Sequence, residues 1–189
     1  RRGVTNVVTP GLTLDDSILQ SRTNNYLCAI DVRQPGQFGI AFLDVSTGEF
    51  MVSEGGDAVI ESLFQRFKPA EVIFNKKERK GIQELIKSQF PVFQLDDWVF
   101  SHESSYNKLT AHFQSNTLKG FGIEELHSAQ IAAGAILQYL EMNENKEISH
   151  INRITRIPQE SYMWLDRFTI QNLELVNELH SNGRSLVDI

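Results

Sequence analysis

The chain lacks most of the residues that announce a specialised chemistry. Its single cysteine, Cys28, rules out an intramolecular disulfide framework and predicts a reducing, cytoplasmic setting. No apolar run approaches the roughly 20 residues of a membrane span. No secretory leader is legible at the N-terminus. Basic residues are in deficit: 18 Lys and Arg against 24 Asp and Glu give a net charge of -6. Without a cationic surplus to neutralise phosphates, tight nucleic-acid binding by these residues alone is disfavoured. The five histidines, His102, His112, His127, His150 and His180, are scattered, with no partner three to five residues away. They offer zinc no ligand pattern. No G-x-x-x-x-G-K-[ST] phosphate loop occurs. Tryptophan is limited to Trp98 and Trp164, both expected in a core or at its boundary.

What is present is centred on Tyr26–Ser53, which reads as three strands joined by tight turns. The first, about Tyr26–Arg33, carries Tyr26, Cys28, Ile30 and Val32 on one face and Leu27 and Ala29 on the other. The second, about Phe38–Val45, sets Phe38, Ile40 and Phe42 against Ala41, Leu43 and Val45. A third, weaker and more polar strand covers Gly48–Ser53. Pro35-Gly36 and Ser46-Thr47-Gly48 supply the turn chemistry. Strands apolar on both faces are covered on both sides, so a layered α/β domain is predicted.

The remaining segments fit that layering. Asp57 is the expected N-cap of a helix whose apolar residues Val59, Ile60, Leu63, Phe64 and Phe67 repeat at helical spacing. Glu71–Asn75 reads as a buried strand, Lys76–Gln89 as a charged helix and Pro91–Leu95 as a fifth strand. A helix over Ser101–Gln114 has a thin apolar stripe of Tyr106, Leu109 and Phe113. After the Gly120-Phe121-Gly122 turn, an alanine-rich helix spans Glu124–Asn143. The polar stretch Asn143–Ser149 marks an expected domain boundary. His150–Pro158 and Ser161–Leu165 look extended, and Asp166 starts a last helix. About 40 residues are too few for an independent core, and the chain opens at Arg1-Arg2-Gly3 without Met. Both features predict a piece of a larger protein. The division is residues 1–23 as linker, 24–148 as one domain and 149–189 as the first segment of the next, poorly anchored here.

The order β-β-β-α-β-α-β-α resembles the ribonuclease H-like fold, a mixed five-stranded sheet with helices on both faces. Active enzymes of that fold hold two Mg²⁺ ions between carboxylates. Asp31, Asp44 and Glu49 are the candidates here. The plainer reading is that Asp31 and Asp44 flank turns, where Asp is common. A divergent metal-dependent nuclease is therefore the alternative. An actin-like nucleotide-binding module is a third reading and lacks its glycine-rich phosphate turns.

Several stretches, in order, resemble the MutS family of DNA mismatch repair proteins. They are Val8-Thr9-Pro10-Gly11, Leu43-Asp44-Val45-Ser46-Thr47-Gly48-Glu49-Phe50, Pro69-Ala70-Glu71-Val72-Ile73, Gly120-Phe121-Gly122 with Ala132–Leu140, and Leu165–Glu174. The resemblance implies a connector domain over residues 24–148, ribonuclease H-like and without catalytic or metal site. It would couple mismatch binding to the ATPase and dock the partner protein MutL. It further implies that ATP, Mg²⁺ and mismatched DNA are bound by other domains of a larger, dimeric bacterial protein. No cofactor is expected in these residues. The family's MutL contact falls on the Ser101–Gln114 helix, making Asn107, Lys108 and Gln114 the candidate partner-binding residues.

Overall fold

A computed structural model describes residues 25–86, 89–143 and 148–158. Alternation in the first two strands dictates its centre. β1 (Tyr26–Gln34) and β2 (Gln37–Asp44) form an antiparallel hairpin, closed by Pro35 and by Gly36 at φ +76°. β3 (Glu49–Gly55) continues the meander against β2. After helix α1 (Asp57–Phe67), β4 (Glu71–Asn75) returns parallel to β1 on its other side. Helix α2 (Arg79–Ile86) leads to β5 (Val92–Leu95), parallel to β4. Helices α3 (His102–His112) and α4 (His127–Met142) complete the expected series. Phe74, Phe93 and Ile30 thus share one sheet, as the sequence predicts.

The sheet has six strands rather than five. A two-residue strand, β6 (Thr155–Arg156), pairs parallel with β3, giving the order β5-β4-β1-β2-β3-β6. The segment expected beyond the domain boundary therefore returns to the sheet, and Ile151, Ile154 and Ile157 are buried. The compact unit reaches Ile157. The readings of Val8–Gly11, Ser161–Leu165, Trp164 and the Asp166 helix lie outside the described residues.

Each sheet face has its own core. Leu27, Ala29, Ala41, Leu43 and Val52 meet α3, α4, Ile151 and Ile154. Cys28, Ile30, Ile40, Phe42 and Phe74 meet α1, α2 and Ile157. Cys28 is a small core residue, and burial raises its thiol well above the usual range. Phe42 is fully buried with its ring 4.6 Å from that of Phe67. Losing such a ring costs about 3–5 kcal/mol.

Local details correct the sequence reading. Gly56, not Asp57, is the N-cap of α1, and Asp57 contributes only charge to the first turn. The Lys76–Gln89 helix divides into one 3₁₀ turn, Lys76–Glu78, and α2. Asn75 drives this break, since its side chain accepts from Lys77 N. The alanine-rich helix starts at His127, three residues late, because Ile123–Leu126 forms a separate turn. The Glu124 carboxylate there accepts from Leu118 N at 2.8 Å and from the Tyr106 hydroxyl at 3.2 Å.

α4 is the most deeply placed helix, with eleven of its sixteen residues buried. Close approach explains its small residues. A Cβ on Gly39 would stand 2.1 Å from the Ser128 carbonyl carbon, and one on Gly134 would stand 2.4 Å from Ser105 Cβ. Gly39 lets the N-terminus of α4 rest on β2, and Gly134 lets α3 rest on α4. Gly39→Ala should therefore cost about 3 kcal/mol, since backbone on both sides must separate. Gly120→Ala, at a position open to space, should stay within about 0.5 kcal/mol of the parent in the same urea titration. Equal midpoints for the two variants would refute this account of α4.

Candidate functional site

The three carboxylates proposed for a metal do not converge. Asp31 pairs with Gly39, whereas Asp44 pairs with Tyr26, five residues along the same hairpin. At about 3.3 Å per residue the two lie on the order of 16 Å apart. Asp44 is committed to its turn, its Oδ1 accepting from Ser46 N at 2.9 Å, Ser46 Oγ at 2.6 Å and Thr47 N at 3.3 Å. This is an Asx-type turn, the plainer of the two readings. Glu49 sits opposite Asp44 and accepts from the Tyr26 hydroxyl at 2.5 Å. Among the described residues no three His, Cys, Asp or Glu side chains are placed to share a metal ion.

Asp31 instead lies at the N-terminal end of α4. Gly39 separates it across the sheet from Glu54, whose Oε1 accepts from Ala129 N at 3.0 Å. Both carboxylates thus face the positive end of a helix that has no capping side chain of its own. Burial raises Asp31 from 3.8 to about 6, with Glu54 and Glu78 adding repulsion and the Ser128 hydroxyl and Arg33 opposing it.

Histidines dispersed in the sequence meet in space. The His102 and His127 rings stand 4.8 Å apart near the same helix end. His102 Nε2 bonds Gln130 Oε1 at 2.9 Å, and the Arg33 guanidinium approaches His127 Nδ1 at 3.4 Å. Gln130 is fully buried, and its Nε2 donates to the Ile123 and Glu124 carbonyls. The cluster ties the start of α3 to the start of α4.

The three residues proposed for partner binding have different surroundings. Asn107 is exposed on α3, in line with exposed Ser104 and Ala111. Gln114 is exposed just beyond the helix, at φ 51°. Lys108 is not a free surface cation: it turns toward α4 and pairs with Glu141, its side chain only 25 % exposed. A pair 33 residues apart leaves no local signal. The thin stripe of α3 is explained by Ser105, buried against Gly134, which no hydrophobic periodicity could reveal.

Sequence reasoning also missed a second surface. Trp98, expected in a core or at its boundary, is 56 % exposed. It lies in the 3₁₀ turn Asp97–Phe100, where Val99 takes the inward place. Val92 and Phe93 on edge strand β5 are exposed too, as is Met142 at the end of α4. Asp96 and Asp97 beside Trp98 pair with Lys76 and Lys77. Asp97 is held below the usual carboxylate range by its hydrogen bonds from Lys77 and Asn75.

Known proteins resemble this chain along its whole length. A family model described as MutS domain II matches residues 25–152. The chain is 47 % identical over all 189 residues to DNA mismatch repair protein MutS of Cytophaga hutchinsonii, and equally to that of Flavobacterium psychrophilum. The Bacteroides fragilis protein of the same name is 42 % identical over the same span. The chain covers 22 % of each of these relatives. Among solved structures, the catalytic core domain of BIV integrase matches 64 % of this chain and 97 % of its own, with TM-score 0.30 and 13 % identity. The nuclease domain of the large terminase subunit of bacterial virus Sf6 matches 71 % of this chain and 64 % of its own, with TM-score 0.32 and 10 % identity.

The raised Asp31 makes stability depend on pH in a stated direction. Its folded value of about 6 exceeds the ordinary 3.8, so the folded state holds this proton more tightly. The contribution is full below about pH 4, falls as pH rises through about 6, and is lost above. Asp31→Asn should remove that slope and stabilise the protein at pH 7.5 by about 2 kcal/mol, with little effect at pH 4. Denaturant titrations of both forms at the two pH values measure it. An asparagine variant less stable at pH 7.5 would show that the helix end requires the charge.

Proposed function

The chain belongs to the MutS family, carrying its domain II at residues 25–152, and from that premise we propose that it is the connector module of a DNA mismatch repair protein. In this reading it is a non-catalytic domain that couples mismatch binding to ATP hydrolysis and docks MutL on the outer face of α3. Mismatched DNA, ATP and Mg²⁺ are handled by the remainder of a longer, cytoplasmic and dimeric protein. The division into a linker up to residue 23, a connector and the start of a core and lever region belongs to the same proposal. So does the ribonuclease H-like reading of the sheet.

The observation that supports docking is the character of α3. Its inward side is fixed, with Ser105 seated against Gly134 and Lys108 paired with Glu141. Its outward line, Ser104, Asn107 and Ala111, is small, exposed and uncharged. Exposed Glu103 lies one turn before Asn107, at the edge of that line. Small uncharged side chains cost little to desolvate and little entropy to order. Asn107 and Gln114 are the residues assigned direct contact. Lys108 is assigned a supporting part, holding the helix in place.

Asn107→Glu should weaken MutL binding about tenfold, equivalent to 1–2 kcal/mol at one polar contact. Its unfolding midpoint should stay at that of the parent, because the position is exposed. Lys108→Glu faces Glu141 and should instead lower stability by about 1 kcal/mol. Pulldown with the cognate MutL beside thermal unfolding separates the two effects. Undiminished MutL binding by Asn107→Glu and by an Asn107/Gln114 double variant would remove α3 as the docking face.

A further inference from the structure

The turn Asp44–Gly48 has more structure than a hairpin needs. Asp44 fixes it through three hydrogen bonds, and Gly48 N closes it on Asp44 O at 2.9 Å. Gly48 stands at φ +75°, a region that favours glycine. A Cβ there would also meet the His150 carbonyl oxygen at 3.0 Å and its ring Cδ2 at 3.1 Å. The space beside Gly48 is thus occupied by His150, whose Nε2 donates to the Val45 carbonyl at 2.6 Å.

From this seat the chain runs along the edge of the sheet. His112, in the last turn of α3, donates from Nε2 to the Ile151 carbonyl at 2.7 Å. Because a carbonyl only accepts, both histidines carry a proton on Nε2. Ile151 and Ile154 enter the core under α3 and α4, whereas Ile157 enters the opposite core beside α1 and α2. Between them Thr155 and Arg156 pair with Met51 and Val52, and Ile157 N donates to Val52 O at 2.8 Å. Ten residues therefore touch both cores, one helix end and one turn.

We infer that residues 148–157 form a closed strap, which makes the outgoing chain a strand of this domain instead of a flexible tether. Any rotation or pull on the chain beyond Pro158 is delivered to β3 and to both cores. That use as a transmitter rests on the connector reading; the closure of the strap does not. The strap also pairs the β3 edge at Met51 and Val52, where unpaired backbone would otherwise be presented.

Amide hydrogen exchange on the 189-residue chain tests it. If the strap is closed, the Ile157 amide exchanges through the same opening as Ala41 in the centre of the sheet, at a rate within about tenfold and with the same denaturant dependence. His150→Ala should then speed exchange at Ile157 and at Ala41 alike, about tenfold, the effect of losing one hydrogen bond; acceleration at Ile157 alone would show a separate opening and overturn the strap. His112→Ala serves as the second variant, with the same expected result. Exchange at Ile157 hundreds of times faster than at Ala41, independent of denaturant, would overturn the strap. A closed strap in a chain that does not bind MutL would overturn docking alone, and the converse result would overturn the strap alone.

Discussion

The contact on which the rest depends is the seating of α4 on β2 at Gly39. No side chain intervenes there, because a Cβ on Gly39 would occupy the space of the Ser128 backbone. That contact fixes the height of α4 above the sheet. It also explains why Ala132, Ala133 and Ala135 are all buried, since larger residues would lift the helix. The opposite side of α4 is set in the same way by Gly134 against Ser105. Two glycines thus define a three-layer stack of sheet, α4 and α3, and α3 presents whatever face remains.

The electrostatics of the helix end follow from the same contact. Seating the first turn of α4 against the sheet buries backbone N–H groups that water cannot reach, and α4 has no capping side chain in its own sequence. The sheet supplies the acceptor from Glu54, which bonds Ala129 N. Asp31 is drawn into the same enclosure and pays in desolvation. A carboxylate in that position is therefore carried at a cost to the folded state at neutral pH.

The strands, the order of helices and the two-faced sheet were legible because each rests on a local period. Tyr26, Cys28 and Ile30 alternate with Leu27 and Ala29, and the two sets enter separate cores as that alternation requires. The features that escaped are long-range or short. Lys108 and Glu141 are 33 residues apart, and nothing near either residue marks the pair. The extended reading of His150–Pro158 holds at β6, but its pairing with β3 and the burial of Ile151, Ile154 and Ile157 escaped, because two paired residues are below any periodic signal. Residue type alone places Trp98 in a core or at its boundary, but in its turn Val99 points inward and Trp98 outward. The candidate docking residues were legible as polar positions on a thinly apolar helix. Which of them faces outward depended on Ser105, a small residue that hydrophobic patterning ignores.

The acidic residues show why an acidic domain with this strand order need not assemble a metal centre. A two-metal site requires carboxylates to converge with free oxygens. Here they are distributed among joints: Asp44 in a turn, Glu54 at a helix end, Glu124 on a loop, Glu141 on Lys108. Glu71, nearly buried, meets the Tyr139 hydroxyl at 3.1 Å and ties β4 to α4. Each joins two elements that the sheet alone would leave to slide. Charge used in this way stiffens the layers, an arrangement suited to holding a surface in a fixed orientation.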